Sequence, residues 1–201
     1  MRARLALAVS GQKVNLREVE LKNRPQELYA VSPKATVPVL ILTSGKVVEE
    51  SLEIMHWTLG NADPASWLGS SESQREAMAD LIQSCDGDFK HHLDRYKYAN
   101  RYEGVDAAEH REQASTFLRQ LQSRIASQPF LFGEAPCLAD MAVAPFVRQF
   151  AFADRTWFDA QPWKELIAWL DAFTASALFL SIMEKHEPWT PGADPLCITW
   201  K

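Results

Sequence analysis

Ser32-Pro33-Lys34-Ala35-Thr36-Val37-Pro38-Val39-Leu40-Ile41-Leu42, then Thr43-Ser44-Gly45-Lys46, then Val47-Val48-Glu49-Glu50-Ser51, leads from a turn through a β-hairpin into a helix. Leu40-Ile41-Leu42 and Val47-Val48 are β-formers on either side of a turn that contains a glycine, which predicts the hairpin. Pro38 opens the first strand directly after a turn, a place suited to a cis X–Pro bond. Such a bond would aim the Val37 backbone outward, where its N–H and C=O would pair with an extended peptide added as a short strand. From Ser51 the apolar residues Leu52, Met55 and Leu59 recur at helical spacing. Ser51 then lies at a helix N-terminus, where free N–H groups and the helix dipole attract a carboxylate. Taken singly these residues have plainer readings: Ser51 as a cap, Pro38 as a strand starter, Lys34 as a solvated charge.

Toward the N-terminus, Arg2 to Ser10 reads as a helix that Gly11 ends in a left-handed cap. Val14 to Leu21 is rich in β-formers and reads as a strand, and Pro25 to Val31 as a short helix with its proline at an early position. Toward the C-terminus, Gly60 to Ser73 is the best linker in the chain, and nearly everything after it is helical in period. A capping box of Ser73 and Glu76 predicts a long helix to about Tyr102. Further helices are expected over Asp106 to Ala126, Leu138 to Phe152 and Pro162 through His186. The tail from Glu187 carries Pro188, Pro191 and Pro195 and is not helical. The organisation expected is an α/β domain over residues 1–60, a linker over 61–73 and an all-helical domain over 74–201.

Composition narrows the function. With 47% hydrophobic and 23% charged residues in 201, the chain has ordinary globular proportions and enough length to bury a core without disulfides. The net charge is −5 and no Lys/Arg stripe is long enough to neutralise several phosphates, so nucleic acid is excluded as a partner. Cys85, Cys137 and Cys197 are odd in number, far apart and in no metal-ligand spacing, which suits a reducing compartment. The apolar run from Leu5 to Val9 is too short for a signal peptide or a membrane span. The expectation is a cytoplasmic protein without a membrane partner.

The motif from Ser32 to Leu40, with Glu50-Ser51 ten residues on, resembles the glutathione-binding signature of the glutathione S-transferase family. Leu138-Ala139-Asp140-Met141-Ala142 resembles the start of the buried helix in that family's second domain. The resemblance covers essentially the whole chain, including the linker. It implies a thioredoxin-like α/β N-terminal domain followed by an all-α helical bundle. It also implies a site in which Val37, turned outward by Pro38, pairs with the cysteinyl unit of glutathione. Ser51 would receive the γ-glutamyl carboxylate, Glu50 the ammonium, and Lys34 the glycyl carboxylate at the other end. Tyr96 would line a pocket for a hydrophobic substrate. The family pattern implies a homodimer.

Asp140 lies in an apolar helix where a bare carboxylate would be costly, and it is assigned a structural role. In the family a Ser or Thr three residues earlier completes a hydrogen-bonded box; here that position is Cys137, a weak partner. His91 and His92 are adjacent, so on a helix their rings point about 100° apart and no metal site is expected. Cys85 reads as a buried thiol.

In the family the first helix follows a strand and a loop that bears the Ser, Cys or Tyr controlling glutathione's thiol. This sequence starts at that helix, so the expectation is a domain truncated at its first strand, with the catalytic residue unknown. Two functions compete. One is an enzyme using glutathione as co-substrate, either conjugating it to a small-molecule electrophile or exchanging thiols with a disulfide. The other is a non-catalytic module of the same fold that binds a ligand or a protein.

Overall fold

The structure, a computed structural model, describes residues 1–200. It falls into two compact units, Met1–Ala65 together with residues 177–200, and residues 66–176. The last segment is a departure from the sequence reading, which placed it in the helical domain over 74–201.

In the first unit, helix α1 (Arg2–Ser10) ends at Gly11 with φ of 68°, the left-handed cap expected there. It packs on α3 (Ser51–Asn61), burying Leu5 and Ala6 with Ile54, Met55 and Leu59. Strands β2 (Leu40–Ile41) and β3 (Val47–Val48) form an antiparallel hairpin in which Leu40 faces Val48 and Ile41 faces Val47. Val48 joins Ala3 and Ile54 in a small core, with Leu40 and Leu42 packed against it. That cluster fixes the hairpin to both helices, and so fixes the residues at each end of it.

The strand expected over Val14 to Leu21 is only β1 (Val14–Leu16). Its partner is β4 (Leu196–Ile198), which runs antiparallel to it with Val14 opposite Ile198. The prolines rule out a helix in the tail but leave three residues after Pro195 free to pair, so the tail carries a strand that its composition hides. Helix α2 (Gln26–Val31) follows Pro25 as expected.

The second unit is helical: α4 (Glu72–Ser84), α5 (Lys90–Lys97), α6 (Ala107–Ile125), α7 (Leu138–Ala151), α8 (Arg155–Asp159) and α9 (Lys164–Ala175). The single helix expected from Ser73 to Tyr102 is interrupted by a π-helical turn, Cys85–Phe89, where Gly87 leaves the helical region at φ −85°, ψ −108°. Its cap lies two residues earlier than the expected Ser73, because Ser71 accepts the Gln74 N–H at 3.1 Å. The helix expected through His186 stops at Ala175. Ser176 is extended there, and a separate short helix, α10 (Ala177–Ile182), belongs to the first unit. The core of the second unit gathers Phe89, Leu118, Leu121, Phe150, Phe158, Leu166 and Leu170.

Candidate functional site

Helix α2 ends at Ser32, which is fully buried and extended, and whose N–H still reaches the Leu28 carbonyl at 2.9 Å. The chain then turns sharply. The Ala35 N–H donates to the Ser32 carbonyl at 2.8 Å, and Ala35 adopts a φ of 48° although it carries a side chain. A left-handed alanine is disfavoured by about 1–2 kcal/mol, so its surroundings must hold it there. After this turn the Val37–Pro38 bond is cis and Val37 is 44% exposed.

Across the hairpin, α3 begins at Ser51 with Glu50 in the cap position, extended at φ −88° and ψ 136°. The Glu50 side chain does not cap the helix, so the first-turn N–H groups stay open. Ser51 is therefore the first helical residue and not the cap. Lys34 Nζ stands 3.5 Å from Glu50 Oε1, with both side chains largely exposed. The sequence reading separated these two charges to opposite ends of a bound tripeptide; in the structure they meet. One cation, one carboxylate and an open helix N-terminus thus share one place beside the turn that carries Val37 and Pro38. Sequence reasoning missed a bond beneath them, in which the buried Ser32 hydroxyl donates to Glu49 Oε1 at 2.6 Å.

A cavity of about 190 Å³ in the same unit lies elsewhere, lined by Leu16, Glu18, Trp189 and Leu196 among others, and includes none of these residues.

Tyr96 stands in the second unit, half-buried on α5, with its ring centroid 5.0 Å from that of Phe150. Burial raises its hydroxyl pKa, and the Arg111 guanidinium opposes the rise. Asp140 is buried and accepts four bonds: from the Leu131 N–H and Cys137 N–H at 3.0 Å, the Cys137 thiol at 3.1 Å and the Trp169 indole N–H at 3.0 Å. The corner that cysteine was expected to weaken is therefore filled. Burial and the neighbouring carboxylate push the Cys137 thiol up to about 12, so it stays protonated and donates.

His91, on the exposed side of α5, shares its Nδ1 with Arg95 at 3.1 Å, while His92 Nδ1 meets His110 Nδ1 on α6 at 2.7 Å. Among the described residues, no group of three or more His, Cys, Asp or Glu is placed to hold a metal ion. The His92 pKa is lowered from its ordinary 6.5 by burial first, then by His110 and His91, with Asp88 opposing and Arg95 adding a little. Below 6.5 the unfolded chain takes the proton before the folded one, so this group's contribution to stability falls as the pH drops from there toward the lowered value. Urea unfolding of wild type and His92→Gln should show the wild-type midpoint falling more steeply between about pH 7 and pH 5.5. Parallel pH profiles would refute this.

Two family models match the chain. One is described as the glutathione S-transferase N-terminal domain and matches residues 1–67; the other is the C-terminal domain of the same family and matches residues 91–172. No curated protein matches in sequence. Solved structures share the fold at low identity. A glutathione S-transferase domain-containing protein of Marinobacter aquaeolei is 22% identical with a TM-score of 0.74, over 89% of this chain and 93% of that one. A glutathione S-transferase of Rhodospirillum rubrum is 20% identical with a TM-score of 0.71, over 97% and 90%. A glutathione transferase homologue of Sulfitobacter, solved with glutathione bound, is 15% identical with a TM-score of 0.74, over 90% of each chain.

Proposed function

This chain belongs to the glutathione S-transferase family, and from that membership we propose that it binds glutathione at the junction of the 32–38 turn and helix α3 and uses it as co-substrate. The observation that carries the reading is the meeting of Lys34, Glu50 and the uncapped start of α3 in one place. The γ-glutamyl end of glutathione is a zwitterion, an ammonium beside a carboxylate. Glu50 takes the ammonium, and the N–H groups at Ser51 take the carboxylate through the helix N-terminus. The exposed Lys34 side chain then swings from Glu50 to the glycyl carboxylate, so one internal ion pair is exchanged for two with the ligand. The Val37 backbone, next to Pro38, pairs with the cysteinyl unit as a short added strand.

Bound this way, the cysteinyl sulfur has two possible fates. In conjugation it forms a C–S bond to an electrophilic carbon, the leaving group departs with its electron pair and the thiol proton goes to solvent. In exchange the thiolate attacks one sulfur of a disulfide and expels the other as a thiolate. The second substrate is a small-molecule electrophile or a disulfide, and the protein acts as a cytoplasmic homodimer. No helix among the described residues is long and apolar enough to cross a membrane.

The test is a pair of rate measurements with glutathione present, one with an activated aryl halide and one with a small dialkyl disulfide. At least one should run well above the uncatalysed rate. Bound glutathione with neither rate raised would replace the enzyme with a non-catalytic ligand-binding module.

A further inference from the structure

Two residues that touch none of the groups assigned to the ligand tie the site together. We propose that Ser32 and Glu49 form a positioning latch, whose hydrogen bond sets the distance between the turn carrying Lys34 and Val37 and the helix start carrying Glu50 and Ser51. The proposal rests on the glutathione reading above and deepens it. The Ser32 hydroxyl is fully buried and donates to Glu49 Oε1 at 2.6 Å. In sequence the bond lies two residues before Lys34 and one before Glu50, so it closes the base of the segment that runs out through the hairpin and back. The far end of that segment, Thr43 to Gly45, is exposed and does no such holding.

The turn needs an anchor. Ala35 is fully buried at a φ of 48°, and its N–H is held by the carbonyl of the same Ser32. Ser32 therefore works in two directions, its carbonyl fixing the left-handed turn and its hydroxyl fixing the turn to the approach to α3. Without the hydroxyl bond, a disfavoured backbone conformation is free to relax, and Lys34 and Val37 move with it. The adjacent glutamates divide the labour. Glu49 is partly buried and engaged with Ser32, whereas Glu50 is exposed and faces Lys34.

The experiment compares Ser32→Ala, Glu49→Ala and Glu49→Gln with wild type by calorimetric titration with glutathione and by amide hydrogen exchange without it. Thermal unfolding establishes that each variant is folded. Ser32→Ala and Glu49→Ala should each weaken glutathione by about tenfold, the scale expected when one well-placed bond of a site's support is lost. The double variant should lose little more than either single one, because both remove the same bond. Glu49→Gln keeps an oxygen that accepts from Ser32 and should bind within about twofold of wild type. Exchange at the Ala35 amide should speed up in the two alanine variants and stay slow in the glutamine variant. Unchanged Ala35 protection in Glu49→Ala, or a glutamine variant as impaired as the alanine one, overturns the latch. Wild type that binds no glutathione overturns the functional reading alone, since the exchange data still decide the latch.

Discussion

Replacing Asp140 with alanine is expected to destabilise the protein by about 3–5 kcal/mol, the largest stability loss anticipated for a single polar residue of this chain. The carboxylate accepts from three N–H groups and a thiol drawn from three places in the second unit: the loop at Leu131, the start of α7 at Cys137 and Trp169 on α9. Alanine strands all four donors in a buried site, and each unsatisfied N–H costs about 1–3 kcal/mol before relaxation. For a chain of this length the melting temperature should fall by about 10 °C. Asp140→Asn keeps one accepting oxygen and turns an amide NH₂ on the Cys137 donors, so it should lose roughly half as much. A loss below about 1 kcal/mol for Asp140→Ala would contradict this account of the second unit. The pH dependence has a definite sign. Burial raises the Asp140 pKa above the ordinary 3.8, and its hydrogen bonds oppose that rise without cancelling it. As the pH falls toward 3.8 the folded carboxyl takes its proton first, so this group adds stability on acidification. Asp140→Asn removes that increment.

Glu50 should carry the largest effect on ligand binding. A charge-assisted hydrogen bond to an ammonium contributes about 1.5–3 kcal/mol, so Glu50→Ala should weaken glutathione by about tenfold to a hundredfold. Glu50→Lys should reach at least the upper end, because it sets a cation against the ligand's ammonium and beside Lys34. The fold should be indifferent to both changes. The Lys34–Glu50 pair is about two-thirds exposed on each side, and such pairs contribute little to stability. Calorimetric titration alongside thermal unfolding separates the two effects. A stable Glu50→Lys protein with wild-type affinity would remove Glu50 from the site.

The sequence made the hairpin and its flanks legible because each rests on local chemistry: a glycine turn between β-formers, a proline after a turn, helical spacing after Ser51. It also marked Glu50 as a charge at the start of that helix, and set Lys34 at the other end of a bound tripeptide. It did not reveal that they meet, since their separation depends on how a turn sixteen residues upstream of Glu50 folds back. The Ser32–Glu49 bond was hidden for the same reason, and because two adjacent glutamates look alike until one is buried. Gly87 lay inside a convincing helical period, and one glycine does not announce a π-helical turn. Strand β4 was obscured by prolines that forbid a helix yet permit three paired residues. At Asp140 the residue type signalled a buried carboxylate needing partners, but Trp169 and Leu131 reach it only through the packing of the unit.

The most direct test of the glutathione site is a comparative titration of the wild-type protein with glutathione and with cysteinylglycine, which keeps the thiol and the glycyl carboxylate but lacks the γ-glutamyl unit. If Glu50 and the start of α3 hold that unit, glutathione binds at least about tenfold more tightly, and the advantage disappears in Glu50→Lys. Equal affinities for the two ligands in the wild-type protein would contradict the account.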